Sequence, residues 1–171
     1  MKKRLTGSWL LLVLFLFSCG KGEKGNGVAP KKNNVEVVQK NGNLTAVIST
    51  DRNRLGKIID LTKFPPSNVK YKYVFIDNSK GRIAGPSDVY LEAVFYFDNA
   101  TMEKIRAIDL MDSFTEQNFE KKEFKFDWLD KLTLKELEHS GEGAHPDFLF
   151  GTNNGKLWCL KDKVLLKSTI K

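Results

Sequence analysis

Tyr90-Leu91-Glu92-Ala93-Val94-Phe95-Tyr96-Phe97 is the stretch that decides the fold. Successive side chains of a β-strand point to opposite sides, so Leu91, Ala93, Phe95 and Phe97 share one apolar face. Val94 and Tyr96 make the opposite face partly apolar as well. A strand that is apolar on both sides needs cover on both, which places it in the middle of a sheet. Upstream, Tyr71-Lys72-Tyr73-Val74-Phe75-Ile76-Asp77 alternates in the same way, with Tyr71, Tyr73 and Phe75 on one face and Val74 and Ile76 on the other. The turn-like residues Asn78 to Gly81 and Gly85 to Asp88 separate the two runs.

Further upstream, two β-rich runs, 35–40 and 44–50, flank Asn41-Gly42-Asn43, a strong hairpin signal. Residues 51–56 read as a loop, Lys57 to Leu61 as a short strand or turn, and Phe64-Pro65-Pro66-Ser67 ends regular structure. Downstream, Asp98 or Asn99 can cap a helix on which Met102, Ile105 and Ile108 fall at helical spacing. Ser113-Phe114-Thr115-Glu116 and Thr133-Leu134-Lys135-Glu136 both have capping-box form. The second predicts a helix to about His139, stopped by Gly141. Phe124, Phe126 and Trp128 alternate with charged residues as a strand would. His145-Pro146 reads as a loop. Leu157 to Leu160 and Val164 to Ile170 form a closing hairpin whose lysines suit a sheet edge. Strands joined by hairpins, with helices arriving late, predict an α+β fold: a mostly antiparallel sheet with short helices packed on one face.

The N-terminus carries an address. Lys2, Lys3 and Arg4 precede an apolar run from Trp9 to Phe17, which is shorter than the roughly 20 residues of a membrane-spanning helix and has the layout of a secretory signal peptide. Leu16-Phe17-Ser18-Cys19 closes it and resembles the lipobox of bacterial lipoproteins. That resemblance implies removal of residues 1–18 and acylation of Cys19, which then anchors the chain to a membrane. Gly20 resembles outer-membrane sorting in Gram-negative lipoproteins, so the expected location is the cell envelope, at the outer membrane in such an organism. Residues 19–34 hold the lipidated cysteine and a tether rich in glycine and lysine, with too little apolar surface to offset its ordering entropy. A flexible chain of about 15 residues spans roughly 20 Å. Residues 35–171 form the single folded domain.

Charge follows from this division. The chain has 28 Lys and Arg against 21 Asp and Glu. Losing Lys2, Lys3 and Arg4 leaves 25 against 21, a net +4. So mild an excess suits acidic partners or surfaces without demanding nucleic acid, and no helix-turn-helix, RNP or zinc-finger pattern is present. With Cys19 lipidated, Cys159 is a lone thiol in the apolar run Leu157-Trp158-Cys159-Leu160, where cysteine behaves as a small buried hydrophobe.

Four groups of residues are candidates for chemistry or recognition. His139, His145 and Asp147, with Glu138 and Glu142 nearby, supply two imidazoles and a carboxylate of the kind that binds zinc, though the spacing matches no established motif. Asp77, Asp88, Glu92 and Asp98 border the two strongest strands, and paired carboxylates do acid–base work only at defined separations. Phe124, Phe126 and Trp128, beside Lys121, Lys122 and Lys125, have the composition of an interface centre, although a strand whose aromatic face is core is the favoured reading. Arg82 and Asp88 lie in the glycine- and proline-containing loop between the two strong strands, suited to display. No Gly-x-Ser-x-Gly, phosphate-cradling loop or Cys/His pair is present, and no cofactor is expected.

The expectation is therefore a lipid-anchored envelope protein that binds a protein partner, with an immunity-type lipoprotein against an envelope-acting toxin as one concrete form. An envelope hydrolase or metal-binding protein using His139, His145 and Asp147 is the alternative, and a structural lipoprotein of envelope assembly a third. Metabolic labelling with a fatty-acid analogue checks the anchor: the native chain takes up label and Cys19→Ala does not.

Overall fold

The computed structural model describes residues 35–79, 85–111, 120–141 and 144–170. Residues 1–18, Cys19 and the tether, Arg82, the capping box at Ser113 and Glu142 lie outside the described residues.

The described chain builds an α+β domain around one antiparallel sheet of seven strands. These are β1 (Val35–Asn41), β2 (Leu44–Ser49), β3 (Asn68–Ile76), β4 (Asp88–Tyr96), β5 (Ala144–Pro146), β6 (Lys156–Cys159) and β7 (Lys163–Ile170). Their spatial order is β1-β2-β3-β4-β7-β6-β5. The chain lays down four strands as a meander, leaves the sheet, and returns to add three from the far edge inwards. The first hairpin closes over Gly42-Asn43, with Asn41 paired to Leu44. Gly42 has φ +59°, a conformation that costs a glycine little and other residues more.

As its composition requires, β4 is central. Leu91, Ala93 and Phe95 are fully buried on one face and Val94 is buried on the other. The first face packs with Leu55 of α1 (Arg52–Leu55), Met102 and Ile105 of α2 (Asn99–Met111), and Leu149 and Phe150. Phe95 and Phe150 stack at 4.0 Å. Asp98 caps α2 by accepting from Thr101 N–H at 2.7 Å. The second face packs Val94, Trp158 and Leu165 against Phe124, Phe126 and Leu137. Leu137 belongs to α3 (Lys131–His139), and Phe124 ends a 3-10 turn, Lys121–Phe124.

Helical segments thus line both faces and not one, because a strand apolar on both sides leaves two surfaces to cover. Phe124, Phe126 and Trp128 are not a strand. Glu120 N–H donates to the Glu123 carboxylate at 3.3 Å and Glu123 N–H to the Glu120 carbonyl at 2.9 Å, which winds the 3-10 turn. The bond from Phe126 N–H to the Phe124 carbonyl tightens the chain after it, so alternate aromatics reach the core without extended pairing. The third helix starts one turn earlier than the capping box suggests: Asp130 caps it, accepting from Thr133 N–H at 2.9 Å and from the Thr133 hydroxyl at 2.8 Å. Residues 52–55 form α1 where a loop was expected, and Lys57 to Leu61 is a turn. His145-Pro146 belongs to the edge strand β5. The lysine-bearing β7 is central, paired with β4 and β6, because Val164, Leu165 and Leu166 are buried on both faces.

Phe124 is fully buried, 5.6 Å from the Trp158 ring. Urea unfolding of Phe124→Ala should show a loss of about 3–5 kcal/mol. A loss within about 0.5 kcal/mol, typical of a surface position, would contradict this placement.

Candidate functional site: the open half of the sheet

Residues paired across antiparallel strands point their side chains to the same side. On the second face, one register row therefore runs Lys72, Glu92, Lys167, Lys156 across β3, β4, β7 and β6. On one side of this row lies the cap formed by the 3-10 turn and α3. Its border is Trp128, stacked on Phe126 at 5.7 Å, whose indole N–H donates to Glu92 Oε2 at 2.8 Å. Lys72 Nζ pairs with Asp127 at 2.9 Å and Lys156 Nζ with Glu123 at 2.8 Å. Lys70 Nζ lies 5.8 Å from the centre of the Trp128 ring. The hydrogen bond from Lys156 holds the Glu123 carboxyl below its ordinary value against the opposing cost of burial, and Lys167 adds to the effect.

Across the row the face changes character. The next register row is Ala46, Val74, Tyr90, Thr169, and beyond it lie Leu44, Ile76 and Asp88. Leu44, Val74 and Ile76 are half-buried and Tyr90 is 42% exposed. None of these four belongs to either core cluster. Ala46, in the same row as Val74 and Tyr90, is buried. An apolar strip with an exposed tyrosine, bordered by a ladder of charges, has the layered make-up of a protein-binding surface: apolar centre, polar rim.

The residues singled out in the sequence fall on different sides of this border. Trp128 and Asp88 flank the open strip, Trp128 half-buried at its rim and Asp88 bonded to Asn78 Nδ2 at 3.1 Å. Phe124 and Phe126 are 0% and 4% exposed; they are core residues with no surface to offer a partner. The histidines and Asp147 do not form a metal centre. His139 Nδ1 bonds the Lys135 carbonyl at 2.7 Å at the end of α3, and His145 sits in β5 opposite Leu157. Asp147 is occupied by Leu149, Phe150 and Thr152 N–H and by the Thr152 hydroxyl, shaping the loop into Phe150. Among the described residues no three His, Cys, Asp or Glu side chains gather as metal ligands would. Asp77 and Asp98 are likewise engaged locally, with Ser79 and Thr101. Cys159 is buried on the first face, next to Val164.

Lys72, Lys167 and Tyr90 belong to the site and were not foreseen. Each sits in plain alternation in its own strand, and only the register across strands brings them together. A concavity of about 570 Å³ with mixed polar and apolar walls, among them Ile58, Asp60, Phe150, Asn153 and Thr169, lies at the end of β7. The Asp60 carboxyl there is lowered by hydrogen bonds from the Thr62 hydroxyl and N–H.

Comparison with protein-family models, curated proteins and solved structures found no match.

Because Glu123 has a lowered folded pKa, its contribution to stability is present above the unfolded carboxylate value, about 4, and is lost as pH falls through the folded value. Glu123→Gln should cost no more than about 1 kcal/mol at pH 7, since the pair is partly exposed. In urea unfolding that cost should vanish at strongly acidic pH; an undiminished cost there would contradict the pairing with Lys156.

Proposed function

We propose that this chain is a lipid-anchored protein of the bacterial cell envelope that works by binding, with the open half of its sheet as the surface that holds a protein partner. The observation that carries the binding surface is Tyr90, exposed amid Val74, Ile76 and Thr169 and bordered by Lys72, Glu92 and Lys167. Tyrosine supplies large contact area with few rotatable bonds and a polar tip, which suits it to interface centres. Lipid attachment rests on the basic start, the short apolar run and the lipobox-like Leu16-Phe17-Ser18-Cys19. Anchoring at Cys19 would keep such a surface concentrated at the envelope, where an immunity-type lipoprotein meets an incoming toxin. The mixed signs of Lys72, Glu92 and Lys167 give a partner a charge pattern to match, which favours specificity over raw affinity.

Capture of partners from envelope extracts by the native protein tests the reading. Tyr90→Arg places a charge in the centre of the strip and should weaken capture at least about tenfold, or roughly 1.4 kcal/mol, with melting unchanged. Lys135→Glu, on the exposed side of α3, should leave capture intact. Equal capture by the native and Tyr90→Arg proteins would place the contact surface elsewhere.

A further inference from the structure

We infer that the excursion between β2 and β3, residues 50–67, is the face with which the domain rests on an anionic lipid surface. This rests on the lipid-anchor reading above. The first observation is where the chain enters the fold. Val35 pairs with Ser49, the Ser49 hydroxyl accepts from Asp51 N–H at 3.1 Å, and Asp51 caps α1 through Arg54 N–H at 3.1 Å. Three residues reach at most about 11 Å and a cross-strand step adds about 5 Å, so Arg52 lies within roughly 16 Å of the entry point. A membrane anchor on the preceding chain is therefore covalently tied to the end of the sheet at which this excursion begins.

The second observation is charge. Arg52, Arg54, Lys57 and Lys63 are all exposed on the excursion. Among the described residues none of the four forms an ion pair with a carboxylate, whereas Lys72, Lys156 and Lys163 on the opposite face each do. The two acidic residues of the excursion are engaged locally: Asp51 caps α1, and Asp60 accepts from Thr62 N–H and hydroxyl. The third is shape. Arg52 Nη1 donates to the Pro66 carbonyl at 2.9 Å, which fixes the guanidinium between two concavities of about 290 and 330 Å³. Its remaining N–H donors form the planar fork that suits a phosphate.

A few lysines and arginines near an anionic membrane bind it only weakly, so a net two charges would hold a free domain poorly. A tethered domain differs, because a short flexible link raises the local concentration to about the millimolar range. Docking of this strength works only beside its own anchor, and that fits a domain whose other face is kept free for a partner.

The test uses the mature acylated protein on vesicles of phosphatidylcholine alone and of phosphatidylcholine mixed with phosphatidylglycerol. Backbone hydrogen exchange over residues 52–63 should slow by about tenfold on the mixed vesicles only, as for a segment docked about nine-tenths of the time. High salt, and the triple variant Arg52→Glu, Arg54→Glu, Lys57→Glu, should abolish the protection while the native near-UV spectrum is retained. Protein that floats with both vesicle types and shows no such difference would overturn the docking and leave the anchor standing. Protein that does not float with phosphatidylcholine vesicles would overturn the anchor, and this inference with it.

Discussion

Burial of β4 on both of its faces is the constraint on which the rest of the structure depends. With Leu91, Ala93 and Phe95 sealed on one side and Val94 on the other, the strand is stable only if two independent layers are supplied. The chain supplies them from segments that leave the sheet. The excursion after β2, helix α2 and the loop through Phe150 fill the first face. The 3-10 turn and α3 fill the second. β7 obeys the same rule, and pairing it with β4 sets two doubly buried strands side by side.

The second layer is short, and its shortness creates the candidate site. The 3-10 turn and α3 together give few apolar anchors, and they gather at the end of the face where Val94, Leu165 and Trp158 lie in one register row. Where the cap ends, the sheet turns to charge: Trp128 leans on Glu92, Asp127 takes Lys72, and Glu123 takes Lys156. These contacts close the margin of the core against water. Beyond them the apolar residues Leu44, Val74, Ile76 and Tyr90 belong to neither core cluster.

Much of the sheet was legible because its strands carry strong period-two patterns. The first hairpin, the runs now seen as β3 and β4 and the β6–β7 hairpin lie where alternation and turn residues put them. Asp98 caps α2, and α3 ends at His139. What failed did so where a local pattern admits two backbones. Phe124, Phe126 and Trp128 have strand spacing, yet a 3-10 turn followed by a tight bend delivers the same alternation to a core. Lysines on β7 resemble edge protection, yet they point along one face of a central strand. The metal candidates are not gathered among the described residues, because nearness in sequence is not nearness in space: α3 ends at His139, whereas His145 lies in β5. The open strip was invisible for a deeper reason, since it is a property of cross-strand register, and register is not written in any single strand.

The account stands on the second face being covered at one end while, among the described residues, Leu44, Val74, Ile76 and Tyr90 join no core cluster at the other. Solvent paramagnetic relaxation of methyl groups in the intact protein measures this directly, because a soluble paramagnetic agent broadens only methyls it can approach. Val74 and Ile76 should broaden strongly, while Val94 and Leu165, on the same face beneath the cap, should be untouched. If Val74 and Ile76 prove as protected as Val94, the face is closed and the proposed binding surface does not exist.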